Sequence, residues 1–177
     1  MLWIAIYLPE WSLQLANRAR GDAAPCAFAI TDGPANRALV HAANFLAVEA
    51  GIEAGMRVSA AQTLCDDLLL VPRDLSAEAA ALQRLATWAG QFTPAVTLEP
   101  GQGLLLEVQA SLSLFKGLPK LLNLIRRGLH ELGYHSVLGV APSVRGAWLL
   151  AKASTPKPAS AVVPSCQNYP RACIACR

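Results

Sequence analysis

The stretch VTLEPGQGLLLEV, residues 96–108, constrains the fold of this chain more than any other. Two apolar runs flank Pro100-Gly101, and turn residues placed between such runs predict a β-hairpin. The second arm, Leu104 to Val108, is apolar except at Glu107, which fits a strand buried on both faces. Leu2 to Leu8 has the same character, and Pro9 ends it because proline cannot donate to a sheet ladder. A buried hairpin and a distant buried strand need one sheet and helices to cover it.

The helices follow from period. Leu82, Leu85, Ala86, Ala89 and Phe92 lie on one face of a helix expected over Glu78 to Phe92. Leu118, Leu121, Leu122, Ile125 and Leu129 trace a second, with Pro119 in its first turn and Gly133 closing it. A strand over His135 to Ala141 and a helix from Pro142-Ser143 through Ala153 complete this part. Upstream, short strands are expected at Cys26 to Ile30, Leu39 to Asn44 and Leu68 to Val71. Helices are expected at Phe45 to Ala50 and, capped by Ser59, at Ala60 to Cys65. Helix, two strands, helix, strand, helix is an α+β order, with helices on one face of a largely antiparallel sheet.

Hydrophobic residues make up 54% and charged residues 15%, so the chain is globular rather than disordered. No apolar run reaches the ~18 residues of a membrane-spanning helix. The first residues lack a basic start and carry Pro9 and Glu10, which argues against a signal peptide and for a cytoplasmic protein. A net charge of +3 is only mildly basic and argues weakly for nucleic acid. Five cysteines without an export signal are read as reduced thiols.

Three blocks and the hairpin carry a resemblance to the Y-family (UmuC/DinB-like) DNA polymerases. LVHAANFLAVEAGIEAGM, residues 39–56, resembles the fingers segment, and AAQTLCDDL, residues 60–68, the helix that follows it. Gly139-Val-Ala-Pro142, a helix and Thr155-Pro156 are similar to the end of the palm. Trp3, Pro9, Pro72-Arg-Asp74, Phe92-Thr-Pro94, Ser113-Leu-Phe115 and Ala147-Trp-Leu-Leu150 place it nearest the catalytically inactive ImuB group. The resemblance implies a palm with an inserted small, mostly helical fingers lobe. Palm strand 1 would be residues 1–12, the fingers 13–75 and the rest of the palm 76–164. Residues 165–177 resemble neither thumb nor little finger, so an N-terminal portion keeping only palm and fingers is expected. The implied role is an adaptor in SOS-type repair and translesion synthesis. It would link an error-prone C-family polymerase, a sliding clamp and a RecA-like ImuA partner to DNA that it holds weakly.

The family's metal-binding acids fall at Tyr7, Gln102 and Gly103. Two-metal nucleotidyl transfer needs carboxylates that hold both ions about 3.5–4 Å apart, with hard oxygen ligands. A phenol, a neutral amide and a glycine do not supply them, so no catalytic residue and no cofactor are expected. The alternatives are a residual, weakly active polymerase using relocated acids, to which alone magnesium would belong, and a truncated fragment with no independent function. The candidates for relocation are Glu10, Glu99 and Glu107, the last roughly 13 Å along the strand from Gly103. The nucleotide contacts are degraded as well. The fingers Tyr and Arg fall at Phe45 and Val48, the palm Lys at Thr155 (flanked by Lys152 and Lys157), and the ribose-screening aromatic near Ser12.

Lys116, Lys120, Arg126 and Arg127 could touch phosphates, and a solvated helix face explains them equally well. His41 reads as a packing histidine, and Trp88 and Trp148 as core residues. Cys166, Cys173 and Cys176 have a spacing that invites zinc, but a fourth ligand is missing, so an irregular free-thiol tail is the expectation.

Overall fold

The first strand, β1 (Trp3–Tyr7), sits in the middle of a four-stranded sheet, as its uninterrupted apolar character requires. It is flanked by β6 (Gly103–Glu107) and β7 (Val137–Ala141), with β5 (Val96–Glu99) at the far edge of β6. All three pairings are antiparallel. The computed structural model describes residues 1–21, 25–34, 36–99 and 101–155. The cysteine-containing tail, Lys157 and the expected 165–177 segment lie outside the described residues.

Alternation along β1 sorts the sheet into two faces. Ile4, Ile6 and Leu8, with Leu104, Leu106 and Val108, face a core filled by α4 (Leu75–Ala89) and α5 (Leu118–Glu131). Leu82, Leu85 and Ala89 from α4 and Leu121, Ile125 and Leu129 from α5 are the buried helical positions. Trp88 packs edge-on to Phe92 at 5.2 Å and lies over Gly128, where a Cβ would come within 2.4 Å of its ring. Its expected packing role is therefore a helix–helix one. The third helix, α6 (Val144–Ala153), differs from the expectation and covers the opposite face, against Ala5, Leu105 and Ala141.

The inserted lobe holds a second sheet of three strands, in the order β3 (Leu39–Ala43), β2 (Phe28–Asp32), β4 (Leu69–Pro72). The β2–β3 pair is antiparallel and the β2–β4 pair parallel. Two short helices, α2 (Phe45–Glu49) and α3 (Val58–Leu64), bury Ala47 and Ala61 against it. Asn44 fastens α2 to β2. Its Oδ1 accepts from Phe28 N and Ala47 N, and its Nδ2 donates to Cys26 O. Strand β2 begins at Phe28, later than expected.

Two helix starts also move. Asp74 Oδ1 accepts from Ala77 N at 2.9 Å, so α4 begins at Leu75 rather than Glu78, and it ends at Ala89 before Phe92. Ser59 is not a cap: α3 begins at Val58, directly after the bridge between Leu39 and Arg57 that pins the chain there. Helix α1 (Trp11–Arg20) joins the two parts. Its Trp11 belongs to the large core and its Leu13 to the lobe's, so the expected boundary after residue 12 cuts through one helix.

Candidate active-site cleft

Strand register brings Tyr7, Gln102 and Gly103, where the resemblance puts the family's acids, to one end of the large sheet. Tyr7 pairs with Gly103 on one side and Val137 on the other, and Gly103 pairs in turn with Glu99. Leu8 N donates to Gln102 O at 2.8 Å, so the hairpin tip lies against the end of β1. Here the sheet end and the inserted lobe face each other across a cleft of about 360 Å³. The large sheet contributes Tyr7 and Gly101, the α1 segment Glu10 and Ser12, and the lobe His41 and Val48.

Tyr7 is not free in this cleft. Its ring meets Trp148 of α6 edge-on, with centroids 6.0 Å apart. The Lys152 ammonium lies 5.9 Å from the Tyr7 ring and 5.8 Å from the Trp148 ring. A cation over two aromatic rings thus stands beside Tyr7. Trp148 packs the α6 face, as expected, and holds Tyr7 as well. Lys152 lies one turn before Thr155, whose hydroxyl donates to Ala151 O at 3.0 Å.

Gly103 is a tighter constraint than its missing side chain implies. Its φ is +145°, and a Cβ built there would fall 1.9 Å from Ile6 O and 3.4 Å from the Trp148 ring. An acid at this position would need both strands to move. The donor set therefore does not fit a two-metal centre. Among the described residues there is also no cluster of three or more His, Cys, Asp or Glu side chains placed to share a metal ion.

The acids that could have relocated do not converge. Glu107 pairs with Trp3 at the opposite end of β1, and its Oε1 accepts from Leu2 N and Gln109 N. Glu99 is on the edge strand, beyond Gly103 from Tyr7. Only Glu10 lines the cleft. It is exposed as a residue, yet packing around its carboxyl raises its pKa above the ordinary value, and the nearby His135 pulls it back down.

The cleft floor is charged and closed. Arg73, just beyond β4, donates from Nε and Nη2 to the two oxygens of Glu78 on α4, at 2.8 and 2.9 Å. This bidentate hydrogen bond raises the Arg73 pKa further, against the burial that lowers it. Asp32, at the end of β2, lies 3.5 Å from the same guanidinium, and Trp11 Nε1 donates to Glu78 O. Local sequence pattern shows Pro72-Arg-Asp74 but not this link between lobe and sheet. The acid five residues further on was the available signal.

Other sequence candidates are scattered. Val48 lines the cleft and is 48% exposed, whereas Phe45, at 50%, lies outside its lining on the same short helix. Ser12 is buried at the cleft wall. His41 is exposed and lines the cleft, which corrects the packing role expected for it: strand β3 turns this side chain away from the lobe core. Lys116, Lys120, Arg126 and Arg127 are exposed on or beside α5, and none lines the cleft. Arg127 pairs with Glu131 one turn on, at 2.8 Å.

Comparison with known proteins matches this architecture. The impB/mucB/samB (IMS) family matches residues 13–152. Protein ImuB of Caulobacter vibrioides (strain NA1000 / CB15N) is 31% identical over 103 residues, which cover 58% of this chain and 22% of that protein. The crystal structure of DinB from Sulfolobus solfataricus superposes with a TM-score of 0.71 at 18% identity, over 88% of this chain and 46% of that one. The insertion ternary complex of Dbh DNA polymerase superposes at 0.70 and 19%. At these identities the two structures speak for the fold, a Y-family palm. The chain spans under half the length of these relatives.

Proposed function

The chain belongs to the impB/mucB/samB family, and we propose that it is a non-catalytic member that holds DNA and serves as an adaptor in error-prone translesion synthesis. The observation that carries this reading is the sheet end at Tyr7 and Gly103. A family palm is present, but an aromatic pair and Lys152 stand beside the first acid position, and the backbone leaves no room for a ligand at Gly103. A lysine in place of anionic metal ligands keeps affinity for phosphate and removes the groups that would carry magnesium. Resemblance to the ImuB group supports the assignment of partners: an error-prone C-family polymerase, a sliding clamp and a RecA-like protein, acting in the SOS response in the bacterial cytoplasm.

The test is primer extension with magnesium or manganese, alongside binding of the same primer–template across a salt series. The expected outcome is no extension, with binding that weakens as salt rises. Glu10 favours a second reading, a residual polymerase, because it is the one relocation candidate in the cleft. Extension that disappears in Glu10→Gln would establish that reading and overturn the adaptor.

A further inference from the structure

A second depression lies at the C-terminal end of α5. It has a volume of about 410 Å³ and is lined by Arg126, His130, Gly133, Tyr134, His135 and Ser136. Arg18 stands beside it: its guanidinium is 4.2 Å from the centre of the Tyr134 ring, and its Nη1 lies where Gly133 has no side chain. Two guanidiniums and two imidazoles from α1, α5 and the loop after α5 thus meet around one basin. The sequence separates them so widely that only Arg126 was a candidate.

The basin is pre-organised. Tyr134 also packs on Trp11, with centroids 5.4 Å apart. Gln14 clamps the loop from both sides, donating to His135 O at 2.8 Å and accepting from His135 N at 2.9 Å. Three of the last four carbonyls of α5 are occupied: Gly128, His130 and Leu129 accept from Leu132, Gly133 and Tyr134 N, respectively. They therefore do not oppose an anion as open carbonyls would. Arg18 and Arg126 form no ion pair among the described residues, whereas the neighbouring Arg127 is paired with Glu131. Glu10, which lines the cleft, is near enough to His135 of the basin for that imidazole to lower its pKa.

We propose that this basin is a phosphate site that takes a backbone phosphate of the nucleic-acid strand held by the cleft. The inference rests on the DNA-holding reading above. Arginine forks match phosphate oxygens, and a neighbouring serine and tyrosine suit the adjoining sugar. The strand would pass over the Glu10–His135 ridge, linking two depressions on one surface.

The test follows the imidazole resonances of His130 and His135 by NMR, with His41 reporting on the cleft. The titrants are a 5′-phosphorylated oligonucleotide, the corresponding duplex and inorganic phosphate. Saturable shifts at His130 and His135 with oligonucleotide or duplex, weakened about tenfold by Arg126→Gln but not by Arg84→Gln on α4, are expected. The Arg126→Gln variant should also lower the salt slope by about one. Nucleic-acid binding that leaves His130 and His135 unmoved overturns the basin and leaves the DNA-holding reading intact. Shifts with inorganic phosphate alone overturn the strand as the source and the DNA-holding reading with it. No response to any titrant overturns both.

Discussion

The two faces of the large sheet are built on opposite plans. One face meets α4 and α5 through long aliphatic side chains, among them Ile4, Ile6, Leu104, Leu106, Leu121 and Ile125, all fully buried. The other meets α6 through Ala5, Ala141, Ala147 and Ala151. There the backbones approach so closely that a Cβ on Gly139 would fall 2.1 Å from Ala147 O and 2.5 Å from Ala151 N. The first face gains its stability from buried volume, the second from proximity. Tyr7 and Gly103 lie on the second, and proximity shapes their surroundings: α6 delivers Trp148 and Lys152 to Tyr7, and a Cβ at Gly103 would meet Ile6 O and the Trp148 ring.

Removing volume should hurt most on the aliphatic face. Ile125→Ala is expected to cost about 2–5 kcal/mol, read as a lower urea midpoint at unchanged m-value. A cost below about 1 kcal/mol would mean that the helices slide to fill the gap and that the face is less tightly packed than described. On the α6 face the opposite change should be harmful. Gly139→Ala adds one methyl group against backbone and is expected to cost about 1–3 kcal/mol by the same measurement. A neutral result would show that α6 floats over the sheet and would remove the constraint on the site.

The smallest effect sharpens the comparison at the rim. Glu10 has a raised pKa in the folded state, so its contribution to stability is fully present below the ordinary carboxylate range, about 4.3. That contribution is lost as pH rises through the raised value. Relative to the native protein, Glu10→Gln should therefore gain stability between pH 4 and pH 7, measured by urea unfolding at both. A loss over that interval would mean that Glu10 is held as a charged ligand rather than penalised by burial.

Much of this fold was legible. The hairpin, the central first strand and the amphipathic α4 and α5 came from local period and turn chemistry, which need no partner to be read. Helix starts were less legible, because Asp74 and Ser59 are equally good caps in isolation and only the bridge at Arg57 decides against Ser59. His41 was misjudged because alternation along a five-residue strand does not say which face the lobe core occupies.

The sequence by itself determined that Tyr7, Gln102 and Gly103, where the resemblance puts the metal ligands, carry no carboxylate: residue type suffices when the needed chemistry is a carboxylate. Only the tertiary structure decided the rest. It placed Glu107 at the far end of β1, left Glu10 as the one relocation candidate lining the cleft, joined Arg73 to Glu78 and gathered Arg18, Arg126, His130 and His135 around one basin. The physical reason is distance along the chain. Gln14 and His135 are 121 residues apart in sequence and hydrogen-bonded in space, and strand register and helix packing, not local pattern, set such encounters.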